Sequence, residues 1–236
     1  MKKIHNKETS LGKLSIVATP LGNRGDFSPR GKETLEKADI IIAEDTRSLR
    51  SLFDASAVKA KLIRGDAITE TKIVGEVSEA LDEGLSIALI TDAGTPAISD
   101  PGYKLVEAIR EKRPETIIEA IPGPSAITTA LSISGLPATP FTFFGFPPVK
   151  KGRKTFFEML SHIEHTVVLY ESPHRILKTL TELGTATGID RKVFIGRELT
   201  KMHEQGILGT IAEVKEYYEM NPGKVRGEFV LVVAGA

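Results

Sequence analysis

The chain has no cysteine. That excludes disulfides, thiolate zinc sites and cysteine nucleophiles. It has no surplus of either charge, with Lys+Arg 31 against Asp+Glu 31. Bulk charge therefore does not advertise nucleic acid, and a polyanion site must be a local patch. No apolar run approaches the roughly 18 residues that a membrane span needs. The first ten residues, MKKIHNKETS, are polar and lack the apolar core of a signal peptide. A cytoplasmic location is the expectation. No low-complexity tract or short-period repeat is present.

Several phosphate and catalytic signatures are missing too. None of the 21 glycines forms a G-x-G pair, which removes the dinucleotide fingerprint and the glycine-rich loop of the common methyltransferase sheet. There is no P-loop, no G-x-S-x-G elbow and no H-E-x-x-H. His162 and His165 are three apart but have no accompanying ligand set, so they read as a structural or surface pair and no metal is expected.

What is present is alternation. Strands are expected at Leu14–Thr19, Asp39–Ala43, Leu85–Thr91 and Thr116–Ala120. Helical spacing of Ile73, Val77, Ala80 and Leu81 predicts an amphipathic helix over Glu70–Glu83, and another is expected at Tyr103–Lys112. The segment Ile121-Pro-Gly-Pro-Ser125 breaks the pattern. Beyond it, helices are expected at Ala126–Ser134, Lys154–Ile163, Ile176–Leu183 and Ala212–Met220. Strands are expected at Phe141–Gly145, Thr166–Tyr170, Lys192–Gly196, Gly206–Ile211 and Glu228–Val233. Such alternation predicts α/β units with largely parallel strands. The division is an N-terminal α/β domain over 1–121, with an extended leader over about 1–12, and a C-terminal α/β domain over 122–236.

Five segments concentrate unusual residues where strands end or the halves join. They are VATPLGN (17–23), AEDTR (43–47), ITDAGTPAISDPG (90–102), PGPSA (122–126) and YESPHR (170–175). The third is the richest. A buried strand empties into two glycines, two prolines and two aspartates before a helix begins, and open α/β sheets bind ligands at the carboxyl ends of strands. Asn23 or Asp26 can cap a helical turn after the first segment. The backbone amides and Ser125 of the fourth can hold a carboxylate or a hydroxyl. The charged residues of the second read equally well as a salt-bridged structural cluster. The run Lys150-Lys-Gly-Arg-Lys154 puts four cations in five residues after Phe146-Pro-Pro. It suits RNA phosphates, with a solvated loop as the plain alternative.

Together with Arg197-Glu-Leu-Thr-Lys201, these segments resemble the tetrapyrrole-methylase superfamily, and within it the subgroup that methylates small-subunit ribosomal RNA. The likeness runs from about Lys13 to Val233. It implies two α/β domains with the cofactor cleft between them, and S-adenosylmethionine as the cofactor. It further implies 2′-O-methylation of a cytidine ribose in the decoding region, with a homodimer acting on the assembled 30S subunit. Carried over residue by residue, Pro20, Asp92, Gly94, Thr95, Ile98, Asp100, Ser125, Ala126, Tyr170 and Leu199 take the cofactor. Lys150, Lys151, Arg153, Lys154 and Arg175 take RNA.

The transfer needs alignment of oxygen, methyl and sulfur, and a proton acceptor for the hydroxyl. Candidates for the acceptor are Asp45, Glu171 and His174, with Glu44 and Glu198 behind them. Lys201 or Arg175 can stabilise a developing alkoxide or grip phosphate. For each, a salt bridge that holds the loops together is the competing role. Phe146 can stack a base, whereas Phe143 and Phe144 read as core. Three departures from the subgroup are Arg24 in place of an apolar residue, the Phe146-Pro-Pro variant, and an end at Ala236 where many relatives continue into a helical extension. The competing readings are a carbon methylase of tetrapyrrole precursors and a non-catalytic RNA- or cofactor-binding protein.

Overall fold

The computed structural model describes residues 12–47, 49 and 59–236. Two compact units divide the chain, Met1–Pro124 and Ser125–Ala236. The expected leader falls, except for Gly12, outside the described residues.

In the first unit, β1 (Lys13–Val17), β2 (Ile40–Ala43), β3 (Lys61–Arg64), β4 (Ser86–Leu89) and β5 (Ile117–Ile121) form one sheet in the order β3-β2-β4-β1-β5. Every pairing is parallel. Helices α1 (Pro29–Lys37), α2 (Val74–Asp82) and α3 (Tyr103–Lys112) connect them. The sheet is apolar on both faces, as parallel sheets are. Side chains alternate: Ile40 and Ile42 join Val77, Leu81, Leu105 and Ile109 on one side, while Ile41 and Ala43 join Leu35 on the other.

Two elements of this unit are additions to the expected set. Helix α1 is one, although Ser28 caps it by accepting from the Gly31 amide and Pro29 occupies its first turn. Strand β3, KLIR, is the other, because an edge strand with one buried residue in four carries little apolar signal. Helix α2 begins at Val74 rather than Glu70, since Asp66 and Thr69 fold the preceding residues into turns.

In the second unit, β6 (Phe141–Phe143), β7 (Thr166–Glu171), β8 (Lys192–Arg197), β9 (Gln205–Thr210) and β10 (Phe229–Val233) form a sheet in the order β6-β7-β10-β8-β9. Only β6 and β7 run parallel. The last strand inserts between β7 and β8, antiparallel to both, and β9 turns back on β8. The expectation of largely parallel strands is corrected here. Helices α4 (Ala126–Ile133), α5 (Arg153–Ser161), α6 (Ile176–Thr187) and α7 (Ile211–Met220) complete the unit. Helices α5, α6 and α7 cover one face through Phe157, Leu180 and Tyr218, and α4 covers the other through Ile127 and Leu131. A capping box at Thr210 and Glu213 ends β9 and starts α7.

Candidate functional site

The sheet order of the first unit explains where a site can form. From β1 the chain passes β4 to reach β2, and from β4 it passes β1 to reach β5. The connections diverge at the β1–β4 pair, and the carboxyl ends of such a pair are where doubly wound sheets bind ligands.

Three loops are tied together at that edge. Ala18 donates to the Ile121 carbonyl at 3.1 Å, which prolongs the β1–β5 pairing. Thr19 is fully buried and forms an isolated antiparallel bridge with Gly94, with N···O distances of 2.9 and 3.1 Å. Its hydroxyl donates to the Thr91 carbonyl at 3.1 Å. The Thr95 hydroxyl donates to the Pro124 carbonyl at 3.3 Å. A Cβ at Gly123 would stand 3.0 Å from the Ala18 side chain, so glycine allows this close approach without displacing Ala18.

The loop over 90–102 carries unusual backbone. Ala97 and Ser99 have φ of +67° and +66°. Left-handed backbone at a residue other than glycine costs of order 1–3 kcal/mol each and clusters at ligand sites. Among the described residues, the other two such positions are Glu198 and Thr200 in the RELTK segment. Both strained stretches thus coincide with segments singled out for chemistry.

A buried carboxylate anchors the loop's far end. Glu70, 3% exposed, accepts the Gly102 amide at 2.8 Å and lies 3.5 Å from the Lys104 ammonium. Nothing in the sequence signals this contact, 32 residues distant, beyond an acidic residue ahead of α2.

Around this frame, Pro20 and Gly94 are buried, Thr95 and Asp100 are half-buried, and Asp92 and Ile98 are exposed. Among these, Asp92, Thr95, Ile98 and Asp100 leave polar and apolar surface for a small ligand. The acceptor set suits a nucleoside-amino acid cation: backbone carbonyls and carboxylates, with no basic side chain among the residues of this loop. In the second unit, Ser125 and Ala126 start α4 and are half-buried, and Ser125 makes no side-chain cap bond.

The candidate proton acceptors separate by environment. Arg47 donates its Nε and Nη2 to Asp45 at 2.9 and 2.6 Å, and its backbone amide also at 2.9 Å. These side-chain and backbone bonds hold the Asp45 carboxyl down at about 2. A carboxylate so stabilised is a poor proton acceptor, which counts against Asp45. Its neighbour Glu44 differs. Burial, then the Asp92 charge, raise its pKa against a weak bond from the Thr91 hydroxyl at 3.4 Å.

Glu171 is a correction. Its side chain is fully buried at the end of β7. It accepts from Thr179 Oγ1 at 2.5 Å and from its neighbour's amide at 2.7 Å, and Arg175 Nη2 lies 2.7 Å away. No lone pair faces solvent for a substrate. Arg153 is a second correction. Rather than facing phosphates, it is 4% exposed. It donates to Glu182 at 2.6 Å, the Pro148 carbonyl at 2.9 Å and Thr179 at 2.7 Å. Arg175 also turns inward, to Glu171 and to the Pro147 carbonyl at 3.1 Å. Lys150, Lys151, Lys154 and His174 stay exposed.

Tyr170 sits against Phe143 and Phe146, with ring centroids 4.9 and 5.6 Å apart. Phe146 is 52% exposed. Leu199 is buried against Gly196, whose missing Cβ leaves room for it. Lys201 bridges Glu198 and Glu228 at 3.0 and 2.9 Å. Burial works against its charge, but the bonds to Glu228 and Glu198 outweigh it and raise its pKa. Lys201 is therefore a persistent cation, itself already paired. His165 is bonded to Thr142 Oγ1 at 2.7 Å. Among the described residues no group of three or more His, Asp or Glu could hold a metal ion, and no helix is long and apolar enough to cross a membrane.

Comparison with known proteins gives a consistent set of relatives. A family model described as Tetrapyrrole (Corrin/Porphyrin) Methylases matches residues 13–215. A ribosomal RNA small subunit methyltransferase I from Xylella fastidiosa is 42% identical over 226 residues, which cover 95% of this chain and 82% of that protein. A protein of the same name from Thermotoga maritima is 39% identical over 225 residues, covering 95% and 99%. Among solved structures, the methyltransferase CobJ matches with a TM-score of 0.71 at 18% identity, covering 95% of both chains. A uroporphyrin-III C-methyl transferase from Thermus thermophilus, complexed with S-adenyl homocysteine, matches at 0.62 and 16% identity, covering 94% of this chain and 97% of that one. At those identities the structural likeness shows the fold alone.

Proposed function

Since this chain belongs to the tetrapyrrole (corrin/porphyrin) methylase family, alongside the ribosomal RNA small subunit methyltransferase I proteins, we propose that it methylates small-subunit ribosomal RNA from S-adenosylmethionine, at the ribose 2′-hydroxyl of a cytidine in the decoding region. The observation that carries this reading is the set of joined strand-end loops at the β1–β4 switch, with strained backbone at Ala97 and Ser99. The assembled subunit is the proposed substrate.

The bound cofactor supplies an electrophilic methyl group on a sulfonium. In the first unit, Pro20, Gly94, Thr95 and Ile98 bind and orient it, and Asp92 and Asp100 offer carboxylates to its ammonium or hydroxyl groups. Ser125, Ala126, Tyr170 and Leu199 are assigned to it by resemblance. The loops are fixed before binding by the Thr19–Gly94 bridge, so little ordering cost remains at that step. Glu44, rather than Asp45, is the assigned acceptor of the ribose proton: it lies 3.4 Å from the Thr91 hydroxyl at the start of the strand-end loop and burial raises its pKa, whereas Asp45 is tied up by Arg47. His174 is the alternative acceptor. Lys150, Lys151 and Lys154 meet phosphate through charge alone.

The test uses labelled S-adenosylmethionine with small subunits that lack the modification, beside naked RNA. Label that protects one decoding-region bond from alkali supports ribose methylation. Label on a tetrapyrrole precursor and none on either RNA substrate would replace the reading with the carbon-methylase one.

A further inference from the structure

Glu171, Arg153 and Arg175 are buried or half-buried charges that the proposed transfer does not use. They form one network within the second unit. Glu171 Oε1 pairs with Arg175 at 2.7 Å. Glu171 Oε2 accepts from Thr179 at 2.5 Å and lies 3.8 Å from Arg153 Nη1. Arg153 Nη2 closes the circuit on the same threonine at 2.7 Å. The outer ends of both guanidiniums reach the same place: Arg175 holds the Pro147 carbonyl at 3.1 Å and Arg153 holds the Pro148 carbonyl at 2.9 Å. Those two residues open the loop that ends in exposed Lys150 and Lys151 and in Gly152 at φ +79°. Proline has no amide hydrogen, so this stretch has little backbone hydrogen bonding of its own to define its course. The guanidiniums supply what the backbone lacks.

We propose that Glu171 is a positioning residue: through Arg153 and Arg175 it fixes the Pro147–Pro148 stretch and so presents Lys150 and Lys151, with Phe146 beside them, to RNA. This rests on the ribosomal RNA reading above. A cationic loop set in advance binds phosphate without the ordering cost of a free one. The buried charges thus act on substrate affinity, not on the reacting atoms.

The test is steady-state methyl transfer to unmodified small subunits at saturating S-adenosylmethionine, with cofactor affinity measured separately. Glu171→Gln keeps the shape and weakens the hold on Arg175 directly and on Arg153 in part, since Arg153 also keeps Glu182 at 2.6 Å. The expected result is a KM for subunits raised by about tenfold, a weaker salt dependence of binding, and unchanged kcat and cofactor affinity. In a chain already carrying Lys150→Ala and Lys151→Ala, the same change adds little to KM, because the loop has lost what it presents. A fall in kcat of about 10²-fold at constant KM would make Glu171 a proton-transfer residue and overturn the proposal. Unchanged KM, or full additivity with the lysine changes, would overturn it as well.

Should Glu171→Gln fail to fold, Arg175→Gln removes the partly exposed arm, with its pair to Glu171 and its bond to Pro147, and leaves Arg153 and its hold on Pro148 in place. A smaller rise in KM supports the proposal, and no change contradicts it. Absence of any transfer by the unaltered protein would sink the ribosomal RNA reading itself, a result distinct from transfer with unaltered KM in the variants.

Discussion

The two units solve the problem of building a site in different ways. The first has an all-parallel sheet, and its loops are held by backbone pairs, Thr19 with Gly94 and Ala18 with Ile121, helped by the Thr95 hydroxyl on Pro124 and the Glu70 carboxylate on Gly102. The second has a mostly antiparallel sheet, and its segments are held by charged side chains: Glu171 with two arginines, and Lys201 between Glu198 and Glu228. A cradle made largely of backbone with a few carboxylates is compact, which suits close approach to a small cation. A cluster of ion pairs spaces cations and aromatic rings over a wider surface, which suits a polyanion. The contrast also predicts how each unit fails. Side-chain loss should damage the second, whereas added bulk should damage the first.

The largest expected effect lies on the proton acceptor. Glu44→Gln should lower kcat by about 10²–10⁴-fold, keep cofactor affinity, and abolish the acid limb of the rate profile. The sign comes from the raised Glu44 pKa: activity rises as pH climbs through it, because only the ionised form accepts a proton. Asp45→Asn, whose carboxyl sits at about 2, should leave the limb in place. Stopped-time assays across pH distinguish the two.

Removing a whole charged side chain from the second unit comes next. Glu171→Ala takes the carboxylate from half-buried Arg175 and leaves Arg153 with Glu182 alone, and should destabilise folding by about 3 kcal/mol. Urea denaturation measures this. A loss below about 1 kcal/mol would mean that water replaces the carboxylate and that the network is not what holds the segment.

Added bulk in the first unit has a smaller effect on folding. Gly102 has φ +125°, and a Cβ there would stand 2.8 Å from Leu89 Cδ2. Gly102→Ala should cost about 1–3 kcal/mol and weaken cofactor binding as well, because the loop from Gly94 ends there. Thermal unfolding and calorimetry together report both effects.

The smallest effect is electrostatic. Burial raises the Glu198 pKa, but the Glu228 amide and Lys201 outweigh it and bring it below the ordinary glutamate range. Its contribution to stability is therefore present above that range and is lost as pH falls through the depressed folded value. Glu198→Gln should lower stability modestly at neutral pH, where the ionised carboxylate contributes, and flatten its fall on the acid side.

Much of this fold is legible from the residues. Apolar content marks nine of the ten described strands, most of which carry buried residues. β3 escapes because an edge strand such as KLIR needs little apolar content. Strand direction in the second unit is not legible, since a run such as FVLVV reads the same whether its neighbours run with it or against it. The strand-end segments stand out because glycine and proline are costly without a reason. The basic run misleads at Arg153. Its spacing with Phe157 and Leu160 is that of a buried helical face, and that periodicity, weighed over charge, turns it inward. Glu70 and its hold on Gly102 have no local signal, because the contact joins segments far apart in the chain.

The division of labour between the strand-end loops and the basic loop meets its sharpest check in calorimetric titration of S-adenosylmethionine into three folded proteins: the unaltered chain, Thr95→Arg, and Lys150→Ala with Lys151→Ala. Thr95→Arg is expected to abolish binding, since the new side chain fills the cradle, and the lysine variant is expected to bind as the unaltered chain does. Unchanged affinity in folded Thr95→Arg, or lost affinity in the lysine variant, would show that the strand-end loops and the basic loop do not divide cofactor and RNA between them in this way.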